Sequence, residues 1–527
     1  MTNELIDLIK TLKTIKVELF VENGKLGIKK DKNYTISNEI LELIKNNKDN
    51  LISFIKTSAN SESKFSIPKQ DYPEFIPLSF SQERLWFLDK LQGSIGYHIP
   101  IVMELKMEFD FDVLEKSFTY VIRRHEALRT VFKDQQGVAY QEIIPANGFK
   151  LKHITANIPE SELEAFIADE IARPFDLSKD YMLRCSVYSK AKDHHILILV
   201  MHHIASDGWS MPILIREFKY IYRSILMNTP IDLPKLLIQY ADYSIWQRSY
   251  LSGKLLESKL SYWKEKLDGL QLLELPIDYT RPAIQSVEGA SYDFQLSKEL
   301  SGSLLQLCKE KDVTLFMLLL SVFKILLYKY TGQEDISVGT PIANREQEEL
   351  FGLIGFFVNT LVLRDRVESD QTFDELLYQV KQTALEAYSH QDFPIESIID
   401  FLEIERDLSR NPLVQALFVV QNTEKTEKTE QVVENSGINE VMYNHVTSKF
   451  DLTLAGSATE QGIVLFGFEY ATALFKEETI KRMALHLENL IASVVSDSSL
   501  KIKDLDYLTQ QEKNELIESF NDTRTIC

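Results

Sequence analysis

The densest chemical signal in the chain is DHHILILVMHHIASDGWS, Asp193 to Ser210, in which two histidine pairs bracket an apolar run. Four histidines so close together suggest a metal, but their spacing opposes one shared site. If Ile196 to Met201 is a strand, His195 and His202 stand about 23 Å apart at ~3.3 Å per residue, far outside one coordination sphere. No metal site is expected. His194 and His195 follow Lys192-Asp193 in a turn and read as ordinary strand-entry residues. His202 and His203 fall at the strand's end, where neighbours point to opposite faces, so only one can face a given pocket. An imidazole there, before a short loop, is placed for proton transfer near neutrality. In that loop, Ser206-Asp207-Gly208, the carboxylate either orients the imidazole or pairs with a distant arginine and pins the loop. Gly208 lets the backbone approach a substrate or a neighbouring strand. On these residues alone, an active site and a buried structural pair are equal readings.

The elements that must hold this loop follow from periodicity. A strand precedes it, and a helix from Trp209 to Leu226 follows, with Pro212 in its first turn. The longest apolar run, Val313 to Phe323, ends at Lys324 and is about half the ~20 residues of a membrane span, so it reads as a buried helix from Thr314 to Tyr330. The 527 residues are 44% hydrophobic and 26% charged, which is ordinary globular composition for about three domains. A net charge of −20 repels phosphate backbones and anionic lipid, excluding nucleic acid and membrane as natural partners. Cys185, Cys308 and Cys527 form no CxxC pattern, and the N-terminus is too acidic for a signal peptide, which points to the cytoplasm.

Residues 1–58 form a small separate unit. A helical stretch, Leu5 to Leu12, precedes two alternating runs meeting at Asn23-Gly24, a strong hairpin signal, with Val17, Leu19 and Val21 answered by Leu26 and Ile28. A second helical stretch runs from Ser37 to about Ile55. Residues 59–76 have linker composition. The remainder reads as mixed α/β (α+β) in two lobes, 77–267 and 268–518, with the crossover in the proline-turn region Asp268 to Pro282. TEKTEKTEQ, Thr423 to Gln431, reads as a surface loop.

The HHxxxDG pattern resembles the core motif of nonribosomal peptide synthetase condensation domains. Others resemble the same family in order: LSFSQERLWFLDKL (Leu78 to Leu91), RRHEALRTVF (Arg123 to Phe132), YADYSIW (Tyr240 to Trp246), GLIGFFVNTLVLR (Gly352 to Arg364), HQDFPIE (His390 to Glu396) and RDLSRNPL (Arg406 to Leu413). The resemblance implies two chloramphenicol-acetyltransferase-like lobes in a V, with a tunnel between them. It implies amide formation between an acyl thioester and an aminoacyl amine, both carried on phosphopantetheine arms of partner carrier domains, with no cofactor held by the chain itself. Carried over residue by residue, the second histidine, His203, is catalytic, as a base or a positioning group. His202, Asp207, Gly208 and Arg345 support it, Asp207 through a salt bridge to Arg345. Ser206, Trp209, Ser210 and Asn359 fall along the tunnel, although Asn359 reads equally as a turn stabiliser. Leu85, Trp86 and Phe87 read as core, and Arg84, Arg124, His125 and Arg129 as internal pairing partners.

Residues 1–58 resemble the αββαα docking domains of downstream synthetase subunits, which capture the C-terminal tail of an upstream subunit. Lys25, Lys29, Lys30 and Lys32 would meet an acidic tail or form a solvated edge. Residues 519–527 look like the start of a linker to an adenylation domain. The partners implied are an upstream donor carrier, a downstream acceptor carrier and that adenylation domain. A coenzyme-A-dependent acyltransferase and a catalytically silent recruitment platform remain alternatives.

Overall fold

The computed structural model describes residues 18–22, 25–29 and 66–515, apart from 107, 156–157, 403–406, 422–437 and 441–446. Two compact units separate: residues 1–69 with 346–351, and residues 70–345 with 352–527. In the first, β1 (Glu18–Glu22) pairs antiparallel with β2 (Lys25–Lys29), with Leu19 opposite Ile28 and Val21 opposite Leu26. That is the register expected of a two-residue turn at Asn23-Gly24. The two helical stretches of this unit, Lys30, Lys32, the TEKTEKTEQ segment and residues 519–527 lie outside the described residues.

The second unit opens with β3 (Ile76–Pro77), α1 (Phe80–Gln92), β4 (His98–Leu105), α2 (Phe111–Arg124), β5 (Thr130–Gln135), β6 (Val138–Ile143), β7 (Lys152–Ile154), α3 (Glu160–Ala172), β8 (Leu183–Ala191), β9 (His194–His202) and α4 (Ser210–Leu226). β9 lies between β4 and β8, antiparallel to both, which puts His98 opposite His202. Every residue of β9 after His194 is buried, as both faces of this central strand are covered. The helices α2 and α4 close one face, where the Phe118 and Phe218 rings stack at 4.4 Å. Burial of this strand fixes where the His202-His203 step emerges.

The chain continues through α5 (Tyr240–Tyr250), α6 (Gly253–Leu267), β10 (Gly289–Gln295), α7 (Lys298–Glu310), α8 (Leu315–Thr331), β11 (Asp335–Ile342), β12 (Asn359–Arg366), α9 (Phe373–Tyr388), α10 (Ile395–Phe401), β13 (Ala416–Gln421), β14 (Ile438–Glu440), β15 (Leu452–Ala458), β16 (Val464–Ala471) and α11 (Glu477–Ser496). Six strands form a mixed sheet in the order β10-β16-β15-β13-β11-β12, and β14 crosses over to pair with β4 in the other sheet, whose order is β14-β4-β9-β8-β7. A second core surrounds α8 and draws in Trp263 and Leu267 of α6, ahead of the proline-turn region.

The apolar run Val313 to Phe323 leads into a buried helix that continues past Lys324, as the reading of Thr314 to Tyr330 expects. α8 runs on to Thr331 and stops at Gly332, whose φ of 70° makes a left-handed cap. Lys324 is fully buried, ion-paired to Asp365, and donates to the Leu363 carbonyl at 2.8 Å. Thr383 and Gln379 donate to the other Asp365 oxygen, at 2.6 and 3.2 Å, so the pair is satisfied on all sides. Among the described residues no single helix is long and apolar enough to cross a membrane.

Candidate active site

At the end of β9 the two histidines part, as strand geometry requires. His202 is wholly buried. Its Nδ1 accepts the Ile204 N–H at 3.1 Å, which leaves Nε2–H to donate to Ser94 Oγ at 2.8 Å. Ser94 in turn donates to Asp89 at 2.5 Å. Burial, with His98 beside it, pushes the His202 pKa down to about 3, so it is a neutral structural member of the strand end.

His203 begins a 3₁₀ turn, His203–Ala205, and keeps partial exposure. Its ring meets Phe356 edge-on at 4.7 Å and Tyr97 at 6.4 Å, while Nδ1 is buried without a hydrogen-bond partner. Burial first, then the nearby Lys449 cation, hold its pKa well below the ordinary histidine value. At neutral pH this imidazole is uncharged, able to accept a hydrogen bond or a proton from a bound amine. Ser206 sits in the same loop, fully buried, with its hydroxyl unpartnered among the described residues.

Asp207 does not turn to His203. Its Oδ1 accepts the Ser210 N–H at 2.9 Å, the Ser210 hydroxyl at 2.8 Å and Arg345 Nη2 at 3.1 Å, and its Oδ2 accepts the Phe357 N–H at 3.0 Å. Arg345 also donates to the Leu353 carbonyl at 2.7 Å and lies over the Phe357 ring at 4.2 Å. The carboxylate is therefore a buried clamp between the loop and the segment before β12. The same segment is held from α2, where His125 Nδ1 accepts the Ile354 N–H at 3.3 Å and its Nε2 meets Glu217 at 2.8 Å. Arg124 shares that glutamate, Arg84 pairs with Glu396, and Arg129 with Glu126.

Two expectations need correction, for Ser210 and Phe87, and the structure favours one of the two readings left open for Asn359. Ser210 does not line open space: it is wholly buried, and its hydroxyl is taken by Asp207, Arg345 and the Gly355 backbone. Asn359 is likewise committed, donating to the Gln391 and Phe393 carbonyls at 2.9 and 2.7 Å and accepting from Thr360 and Ile395, which leaves the turn-stabilising role. Phe87 is 46% exposed on α1, not core, although Leu85 two residues before it is core, and Trp209 is 49% exposed just before α4. A two-residue step on a helix turns through about 200° to the other face, which a run of apolar letters conceals. Gly208 is exposed, and a Cβ added there would meet nothing within 4 Å.

Sequence reasoning missed Phe356 and Lys449 as neighbours of His203. Phe356 lies within GLIGFFVNTLVLR, but nothing in that stretch says that it faces His203, and no motif surrounds Lys449; the fold brings β15's approach and the segment before β12 to this loop. Among the described residues no three His, Cys, Asp or Glu side chains gather as metal ligands would.

The comparisons with known proteins agree with this arrangement. The family described as Condensation domain matches residues 72–517. One of the linear gramicidin synthase proteins of Brevibacillus parabrevis is 42% identical over 85% of this chain, which spans 9% of that protein. Gramicidin S synthase 2 of Brevibacillus brevis is 37% identical over 90% of the chain and 10% of its own length. Among solved structures, the X-domain from teicoplanin biosynthesis superposes with a TM-score of 0.76 at 26% identity, covering 84% of this chain and all of the X-domain. A four-domain nonribosomal peptide synthetase bound to AMP and glycine gives 0.74 at 22% identity, over 85% of this chain and 35% of the other. The match over residues 72–517, with the HHxxxDG loop clamped by Asp207 and Arg345, places the chain in the condensation-domain family.

Proposed function

We infer that this chain joins an acyl or peptidyl thioester to the amine of an aminoacyl acceptor, each carried on the phosphopantetheine arm of a partner carrier domain. The observation that carries the reading is His203: uncharged, partly open and set on a loop that the Asp207–Arg345 clamp makes rigid. The amine nitrogen adds to the thioester carbon, the carbonyl electron pair moves to oxygen, and collapse expels the pantetheine thiol. His203 accepts the surplus proton or holds the amine in line, and proximity supplies much of the rate. Gly208 and Ser206 lie on the loop that the two arms would approach.

The donor carrier belongs to an upstream synthetase subunit, and the acceptor carrier and adenylation domain lie downstream in the cytoplasm. Residues 1–58 act as the docking domain. The edge of the β1–β2 hairpin takes the upstream tail as an added strand, and Lys25, Lys29, Lys30 and Lys32 attract its acidic side chains. Tail affinity falls as salt rises from about 50 to 500 mM if those lysines contribute; salt-independent binding removes them from the account.

A second reading draws on a specific likeness. The teicoplanin X-domain was solved as a complex with OxyB and superposes here with a TM-score of 0.78 at 26% identity. A recruitment platform would bind a second enzyme and transfer nothing. The deciding experiment supplies loaded donor and acceptor carriers and looks for the amide by mass spectrometry, with a coenzyme-A-bound donor in parallel. Product from carrier donors alone supports condensation, product from coenzyme A donors supports the free-standing acyltransferase, and no product from either supports recruitment.

A further inference from the structure

Lys449 lies three residues before β15, and its backbone is fixed on both sides. Ser448 N–H donates to the Val287 carbonyl at 3.0 Å, the Lys449 carbonyl accepts from Gln285 Nε2 at 2.9 Å, and Asp451 pairs with Arg281. From this anchored position the side chain reaches across to Tyr97, with Nζ 5.2 Å from the ring centroid. That ring also meets His203 edge-on, at 6.4 Å. Among the described residues the Lys449 ammonium makes no hydrogen bond and has no carboxylate at ion-pair distance. A half-buried lysine rewarded only by a ring face is poorly compensated for leaving water. Three N–H donors on a side chain that shares the Tyr97 ring with the imidazole, without a protein acceptor among the described residues, are what a developing oxyanion requires.

We propose that Lys449 is a further catalytic residue, whose ammonium binds the donor's thioester carbonyl oxygen and takes up its charge as the amine adds. The proposal rests on the amide-forming reading. Addition forms the C–N bond and moves the carbonyl electron pair onto oxygen, where Lys449 holds it. The return of that pair breaks the C–S bond and releases the thiol, with the amine proton passing through His203. Neither a co-reactant nor a redox step enters.

The charged and titratable groups facing Lys449 are Glu469 on β16, His202 and His203 at the end of β9, and Tyr97. Burial lowers the Lys449 pKa to about 8 and raises that of Glu469 to about 7, so the lysine is protonated at neutral pH and its neighbour is close to its midpoint. Both histidines are neutral there.

The test uses the full chain with Lys449→Met, Lys449→Arg and Glu469→Gln, each first shown to melt with wild type. Binding is measured by calorimetry for two probes: a methylphosphonamidate of glycyl pantetheine, an anionic mimic of the tetrahedral intermediate, and the neutral acetylglycyl pantetheine product. Wild type should prefer the anion, and Lys449→Met should weaken the anion alone by about tenfold or more. With loaded carriers, Lys449→Met should lower the single-turnover rate by about 100-fold with little change in acceptor KM. Lys449→Arg should keep most of the rate and remove the alkaline fall that wild type shows above pH ~8, and Glu469→Gln should alter only the limb near pH 7. Equal losses for both probes, or no loss for either, overturn the proposal. Should Lys449→Met fail to fold, Lys449→Arg decides it, because an unchanged alkaline limb is then contradictory. If the anion preference depends on Lys449 while no protein transfers acyl groups, the lysine site stands and the amide-forming reading falls.

Discussion

At the scale of single residues the site separates into groups that hold the loop and groups that face open space. Asp207 and Arg345 belong to the first kind. Replacing Arg345 by Met leaves a fully buried carboxylate without its cation, which should cost about 3–5 kcal/mol in denaturant unfolding. The double change Asp207→Asn with Arg345→Met should recover part of that loss, because no charge is then stranded. Activity should track stability in both; a folded, wild-type-stable Arg345→Met that is inactive would instead give the arginine a direct catalytic part. This distinction was only half legible in the sequence. HHxxxDG marks the place, yet nothing in its spacing says that Ser210 and Asn359 are consumed by internal hydrogen bonds. Lys449 had no motif around it at all, and only the fold brings its charge near enough to act on His203.

At the scale of elements, the glycines of the loop and of its partner segment behave in opposite ways. A Cβ on Gly355 would overlap the Tyr240 ring and approach Phe357 to 2.7 Å, so Gly355→Ala should destabilise the protein by about 1–3 kcal/mol by overpacking. Gly208→Ala meets nothing and should leave the melting temperature unchanged. If the Gly208 backbone borders bound substrate, the variant should raise acceptor KM with the fold intact; unchanged kinetics would remove Gly208 from the site. Periodicity found the helices around this region within a residue or two, Ser210–Leu226 and Leu315–Thr331, because apolar spacing reports burial directly. It gave no sign that Lys324 within α8 is buried, since an ion pair with Asp365 breaks the rule that charge marks a surface.

For the whole molecule, two neutral histidines facing each other across β4 and β9 tie folding to pH. Burial lowers His98 to about 4 and His202 to about 3, against an ordinary value of 6.5. As pH falls the unfolded chain takes up these protons first, so stability is full above about pH 6.5 and declines toward the folded values. At pH 5 the loss should reach about 2 kcal/mol for each ring. His202→Gln should flatten the pH dependence of unfolding between pH 5 and 7, and an unaltered slope would contradict the assignment. The mixed α/β class, the β1–β2 register and the order of the motifs were readable from sequence. The β14–β4 crossover pairing was not, because three short residues carry no local signal.

The central claim, that His203 is the working group of an amide-forming site, is tested most directly by single-turnover mass spectrometry. Wild type and His203→Ala are given the same loaded donor and acceptor carriers, after thermal melts show equal folding. Because His203 Nδ1 makes no hydrogen bond, the variant should fold normally. The account predicts amide product from wild type and a rate lower by about 10² or more from His203→Ala. Equal rates from the two proteins would contradict it.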